Sequence, residues 1–265
     1  IKCKWEEDMD NYLKSNNIVE KKIHIGEIPA ILFTPKGNEG LLPTIILYHG
    51  WGSNKESQRI RGFILSAVGY QVIIPDAIYH GERNPIDHET IEKPGKFFWE
   101  TILKNLDEVG NIINELILRY HTDQDRIGVI GNSMGGFTAA GVFTHNPKIK
   151  ASVVFNGSYG WENSNRIFKE SFGIKMTEDL KEMEGRINKL DPMNNLELLK
   201  NRPILMLHGD DDSVVSIESQ RIFYQRIEPL YQNKQKIKFI EYPNLNHFVT
   251  TNMMEESISW FYRYL

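Results

Sequence analysis

A chain of 265 residues, 40% hydrophobic and 25% charged, can bury one sizeable core but hardly two, and is too apolar to stay disordered. Its net charge of -4 supplies no electrostatic pull toward nucleic acid or an anionic membrane, and neither is expected as a partner. The single cysteine, Cys3, has no intramolecular disulfide partner and no companion for a cysteine-based metal site; with no signal-like N-terminus and no apolar run of bilayer length, the expected compartment is a reducing cytoplasm.

Residues 18–34 read as two strands turning at Gly26-Glu27, with Pro35, Gly37 and Gly40 closing the pair. Short apolar runs separated by helical stretches follow. The runs at 44–48, 71–75, 126–130, 151–155, 203–207 and 236–242 are apolar at consecutive positions, as in strands buried on both faces of a parallel sheet. Helices are expected over 56–68, 101–120, 134–144, 217–227 and 253–265. Such alternation implies right-handed βαβ units and a doubly wound α/β sheet, with the active site beyond the C-terminal strand ends. It lapses over 156–190, a polar and aromatic stretch with one helix-like piece at 177–188, read as a small helical lid inserted into a single domain spanning 1–265.

The strand at 126–130 runs into Gly131-Asn132-Ser133-Met134-Gly135-Gly136, a nucleophile elbow in which small residues let a strand turn sharply into a helix and present the serine hydroxyl. A serine nucleophile needs a base, the base an orienting acid, and the tetrahedral oxyanion backbone donors. Asp210, Asp211 and Asp212 follow the strand ending at Leu207 and compete for the acid role. His247 follows the last strand and is the candidate base. The order serine, acid, histidine is that of the α/β-hydrolases. His49-Gly50-Trp51-Gly52, at the end of the 44–48 strand, offers the Trp51 N–H beside that of Met134 as an oxyanion hole. His49 and His208 read as structural, donating to backbone carbonyls. Asp76, His80, Asp87 and His88 match no zinc-ligand spacing, so no metal is expected. Trp51 and Trp161, beside motif loops, and Tyr159 are candidate walls of an acyl pocket, while Phe97-Phe98-Trp99 reads equally well as core.

Taken together, His49-Gly50-Trp51-Gly52, Pro75-Asp76 with His80-Gly81, the elbow, His208-Gly209-x-x-Asp212-x-x-Val215 and Asn246-His247-Phe248 resemble the dienelactone hydrolase and prolyl oligopeptidase-like branch of the α/β-hydrolases, in particular its small bacterial carboxylesterases. The resemblance implies an eight-stranded mostly parallel sheet, no cofactor, Asp212 as the acid, and hydrolysis of an ester or related acyl bond. Two departures narrow it. Serine replaces the cysteine of true dienelactone hydrolases, and the N-terminal region is too short for the propeller that gates oligopeptidases. The expected substrate is a short-chain acyl ester; thioesterase, amidase or peptidase chemistry on the same machinery, and a non-catalytic binding role, are the alternatives.

Overall fold

A computed structural model describes residues 15–37, 40–89, 94–172 and 178–265; Cys3 lies outside the described residues. The chain opens with β1 (Ile18–Ile25) and β2 (Ile28–Pro35), an antiparallel pair whose turn holds Gly26 at φ +58. Then come β3 (Leu42–Tyr48), β4 (Gln71–Pro75), β5 (Thr122–Asn132), β6 (Ile149–Phe155), β7 (Ile204–Gly209) and β8 (Ile237–Tyr242). The sheet order is β1-β2-β4-β3-β5-β6-β7-β8. Only the pairings of β2 with β1 and β4 are antiparallel. This is the eight-stranded, mostly parallel sheet of an α/β-hydrolase.

Helices α1 (Arg59–Ala67), α2 (Pro94–Arg119), α3 (Met134–His145), α4 (Trp161–Phe172), α5 (Glu178–Leu190), α6 (Glu218–Ile227) and α7 (Thr251–Tyr264) connect the strands. Consecutive residues of the central strands feed opposite cores, because side chains alternate across a sheet. Ile46, Tyr48, Val129 and Val154 pack with Val109 and Ile113 of α2 and Ala139 and Phe143 of α3. Ile45, Leu47, Ile130 and Val153 pack with Leu65 of α1 and Met253 and Phe261 of α7. A third cluster, with Trp99, Met134, Phe137, Trp161 and Val215, joins the elbow helix to the segment after β6.

Three expectations need correction. β8 is an edge strand with Lys238 and Glu241 exposed, so it is not buried on both faces. Helix α2 begins at Pro94 rather than Thr101, with proline at a first-turn position where its missing N–H costs nothing. The stretch expected to hold one helix holds two; α4 is polar over most of its length, but its apolar residues share one face, a helical periodicity that the sequence reading passed over.

Asp191, only 1% exposed, fixes the start of α4 from the far side of α5. Its carboxylate accepts the Trp161 and Glu162 N–H groups at 3.1 and 2.7 Å and the Met193 N–H at 2.8 Å. The first turn of a helix leaves its N–H groups without intrahelical partners, and an anion there also meets the favourable end of the helix dipole. Replacing Asp191 by alanine strands these donors. Denaturant unfolding should show a loss of about 1–3 kcal/mol or more, and a loss below about 0.5 kcal/mol, the scatter of a neutral surface change, would show that the cap contributes little.

Candidate active site

At the end of β5 the chain reverses into α3 through Ser133, at φ 57 and ψ -124, a left-handed conformation that few non-glycine residues adopt. The neighbouring glycines show why the turn holds. A Cβ on Gly131 would lie 1.9 Å from the Gly135 carbonyl oxygen, and one on Gly135 would lie 2.2 Å from that of Tyr48. Strand, helix and β3 thus meet backbone to backbone. Ser133 is tied in by its N–H, which donates to the Phe155 carbonyl at 2.9 Å, leaving its half-buried side chain at the mouth of the turn.

The loop after β3 lies against this turn, since a Cβ on Gly50 would come within 3.4 Å of Ser133 Cβ. Among the described residues, neither the Trp51 nor the Met134 N–H donates to a protein acceptor. Two interactions anchor the loop. His49 Nε2 accepts the Ala77 N–H at 3.0 Å, which turns its Nδ1–H to the Gly50 carbonyl at 2.9 Å. Lys55, 1% exposed, places its ammonium 2.6 Å from both Asp76 and Glu82, while its own N–H donates to Asp76 at 2.9 Å. Burial would lower the Lys55 pKa, but the two carboxylates outweigh it and raise it. Gly81, at φ +55, is required here because a Cβ would meet the Asp76 carboxylate at 2.3 Å. Asp76 is therefore committed to Lys55, and among the described residues no group of His, Cys, Asp or Glu is arranged to hold a metal ion.

Around Trp51 stand His80 and His88, edge-on at ring distances of 5.2 and 4.6 Å, and Phe98 at 6.1 Å. Burial, and then the nearby His49, push the His80 pKa down to about 3, so this imidazole is neutral in the folded protein.

On the other side of Ser133 the three aspartates separate cleanly. Asp210 accepts the Asn244 N–H at 2.7 Å, Asp211 is exposed, and Asp212 turns a fully buried carboxylate inward. Its Oδ2 lies 2.7 Å from His247 Nδ1 and 3.2 Å from His208 Nε2; its Oδ1 accepts the Val214 and Val215 N–H groups, both at 2.9 Å. Burial alone would raise the Asp212 pKa, but the hydrogen bonds from His208, His247 and Val215 hold it well below the usual carboxylate range. His208 also donates to the Val215 carbonyl at 3.0 Å; its contact with Asp212 was not foreseen from the sequence. Asn246 locks the two loops together, its Oδ1 accepting from the N–H groups of His247 and Ser213 at 2.7 and 3.0 Å.

The structure therefore pairs His247 with Asp212 and lays Gly50, the residue before Trp51, against Ser133. It forms no hydrogen bond between Ser133 Oγ and His247, a contact that is often long before substrate binds. Tyr159 and Trp161 do not line a pocket: both are 0% exposed. The Tyr159 ring stacks on Phe223 at 4.6 Å and its hydroxyl donates to Ser152 at 2.7 Å. Trp161 fills the space above Gly141, where a Cβ would meet it at 2.4 Å, and packs on Trp99. Aromatic residues beside a motif loop read alike whether they face a ligand or the core.

The sequence profile of the prolyl oligopeptidase family matches residues 103–265, which include Ser133, Asp212 and His247. The chain belongs to that family. It is 31% identical over 84% of its length to "Putative esterase YitV" of Bacillus subtilis (strain 168), covering 90% of that protein. It is 26% identical over 91% of its length to Esterase YjfP of Escherichia coli (strain K12), covering 97% of it. Among solved structures, TT1662 from Thermus thermophilus superposes with a TM-score of 0.74 at 17% identity, over 93% of this chain and 97% of that one. The protein is an α/β-hydrolase of the prolyl oligopeptidase family.

Two expectations follow. A carboxyl whose folded pKa is lowered adds stability that is present above its unfolded value, about 3.9, and lost as pH falls through its folded value. The unfolding midpoint of the protein should therefore exceed that of Asp212→Asn at pH 7, and the gap should narrow as pH drops below about 4; a gap independent of pH would exclude this linkage. Trp161→Ala, by emptying a fully buried site, should cost about 3–5 kcal/mol while leaving the preference among esters unchanged. A shifted ester preference at undiminished stability would return Trp161 to the pocket wall.

Proposed function

We propose that the protein is a serine carboxylesterase that cleaves short-chain acyl esters through an acyl-enzyme. The observation that carries this reading is the buried Asp212 carboxylate, 2.7 Å from His247 Nδ1, at the same end of the sheet as the turn that holds the half-buried Ser133. With Nδ1 held by Asp212, Nε2 is the ring nitrogen left to act as base. His247 takes the Ser133 proton as Oγ bonds to the ester carbonyl carbon, and Asp212 stabilises the imidazolium that forms. The carbonyl oxygen becomes an oxyanion held by the Trp51 and Met134 N–H groups, the latter at the positive end of the α3 dipole. His247 returns the proton to the departing alcohol, and water, activated the same way, releases the acid.

Preference for short acyl groups, of about two to six carbons, follows from what surrounds the turn. Half-buried Phe98 packs between half-buried Trp51 and Phe168 at ring distances of 6.1 and 5.6 Å, and α4 and α5 act as a compact lid too small to form a long apolar groove. A methylene accepted or refused by such a pocket changes discrimination by about 1–3 kcal/mol, so the decline with chain length should be graded. The names of YitV and YjfP support ester over amide cleavage. The cytoplasm is the proposed compartment, on the strength of a composition with a single cysteine. Among the described residues no helix is long and apolar enough to cross a membrane.

The test is a series of p-nitrophenyl esters from acetate to laurate, with a p-nitroanilide alongside. Acetate and butyrate should give the highest kcat/KM, and Ser133→Ala should lower turnover by on the order of 10⁴-fold or more at unchanged thermal stability. Undiminished activity in Ser133→Ala would remove the nucleophile, and a kcat/KM that rises toward laurate would remove the chain-length assignment.

A further inference from the structure

Residue 156 belongs to none of the sequence motifs, yet three loops of the site converge on it. Asn156 follows β6, is 0% exposed, and has φ 45, a conformation that asparagine tolerates better than most side chains. Its side-chain amide is stretched between two loops. Oδ1 accepts the Gly209 N–H at 3.2 Å, at the end of β7 just before the aspartates, and Nδ2 donates to the Phe248 carbonyl at 3.0 Å, directly after His247. The preceding carbonyl, that of Phe155, accepts the Ser133 N–H at 2.9 Å. There is little room for relaxation: a Cβ on the next residue, Gly157, would sit 2.9 Å from Gly136 Cα and 3.1 Å from the Ser133 carbonyl.

We propose that Asn156 is a positioning residue for the acid–base pair: its planar amide sets the distance between the Asp212 turn and the His247 loop, and with it the aim of the imidazole at Ser133. The proposal rests on His247 being the general base. The reason for an amide is specific. One loop presents a donor, the Gly209 N–H, and the other an acceptor, the Phe248 carbonyl; asparagine is the shortest side chain with one oxygen and one NH₂ on a rigid plane to meet both. Ahead of the histidine, the His247 loop is tied to the Asp212 turn through the Asn244 N–H on Asp210, the Leu245 carbonyl that accepts the Asp211 N–H at 3.1 Å and the Asn246 Oδ1 that accepts the Ser213 N–H, and the imidazole itself reaches Asp212. Without Nδ2 the segment that follows His247 loses its hydrogen bond to the end of β6, and the imidazole can swing about the tethers that precede it.

The experiment compares Asn156→Gly, which keeps the backbone conformation and deletes both bonds, with the unaltered protein on p-nitrophenyl butyrate. A misplacement of about 1 Å costs on the order of 10²-fold, so kcat should fall by about 10- to 100-fold with KM within about 2-fold. Asn156→Asp keeps the acceptor for Gly209 but offers no donor to the Phe248 carbonyl, and should lose kcat in the same direction. In an Asp212→Asn background the pair is already broken, and adding Asn156→Gly should then lower kcat by less than about 2-fold, since residues acting as a unit are not additive. Unchanged kcat in Asn156→Gly at normal thermal stability overturns the proposal, as does a loss that multiplies fully in the Asp212→Asn background, or failure of both single variants to fold, which would make the residue purely structural. If the unaltered protein hydrolyses the ester in a Ser133-dependent way and Asn156→Gly matches it, only this proposal falls; if Ser133→Ala is fully active, the esterase mechanism falls and takes this one with it.

Discussion

Backbone meets backbone where β5 becomes α3, and the rest of the site is arranged around that contact. Gly131 and Gly135 leave no space for a Cβ between strand, helix and β3, so Ser133 is held at φ 57 by its surroundings rather than by its own preference. The cost of that conformation is met by burial: every residue from Met134 to Thr144 is buried, with apolar side chains reaching into the core beneath. A helix so enclosed cannot rotate to relieve the turn. The loop bearing Trp51 is then registered against the serine by direct contact through Gly50.

Two buried carboxylates organise the loops on either side, and they do so differently. Asp76 is matched by an ammonium, Lys55, and by backbone N–H groups of Lys55 and Glu82, which fixes a loop and leaves no charge to spare. Asp212 is surrounded by two imidazoles and two N–H groups. Imidazole can gain a proton, so Asp212 sits where a transient cation is rewarded, in a place too buried for water to screen it. That difference separates a structural ion pair from one suited to acid–base work.

The sheet was legible because its central strands are apolar at successive positions, and the elbow because glycine spacing and a following small-residue helix have few other readings. Resemblance singled out Asp212 among the three aspartates; in the structure Asp210 accepts the Asn244 N–H, Asp211 faces solvent and Asp212 meets His247. What could not be read was direction. Trp161 and Tyr159 lie beside motif loops but point into the core, and helix α4 hides its few apolar contacts in a polar stretch. Asn156 was silent for another reason. Its partners, Gly209 and Phe248, are 53 and 92 residues away, and a lone asparagine after a strand carries no spacing that would announce them.

In the proposed mechanism the two flanks of Ser133 would meet opposite electrostatic demands. On the Trp51 side negative charge would develop, yet the nearby imidazole of His80 is kept neutral by burial and by the adjacent His49, and the Lys55 cation is cancelled by Asp76 and Glu82. The oxyanion would thus be met by fixed N–H dipoles, which need no reorganisation as charge forms. On the His247 side positive charge would develop, and there the anion is real, desolvated and pre-aimed. Had a protonated histidine stood beside Trp51, it would have stabilised a bound anionic product as well as the transition state and slowed its release. In that mechanism, excluding a net cation from that flank would confine the strongest stabilisation to the moment when both charges exist together, which is the condition for binding the transition state more tightly than either substrate or product.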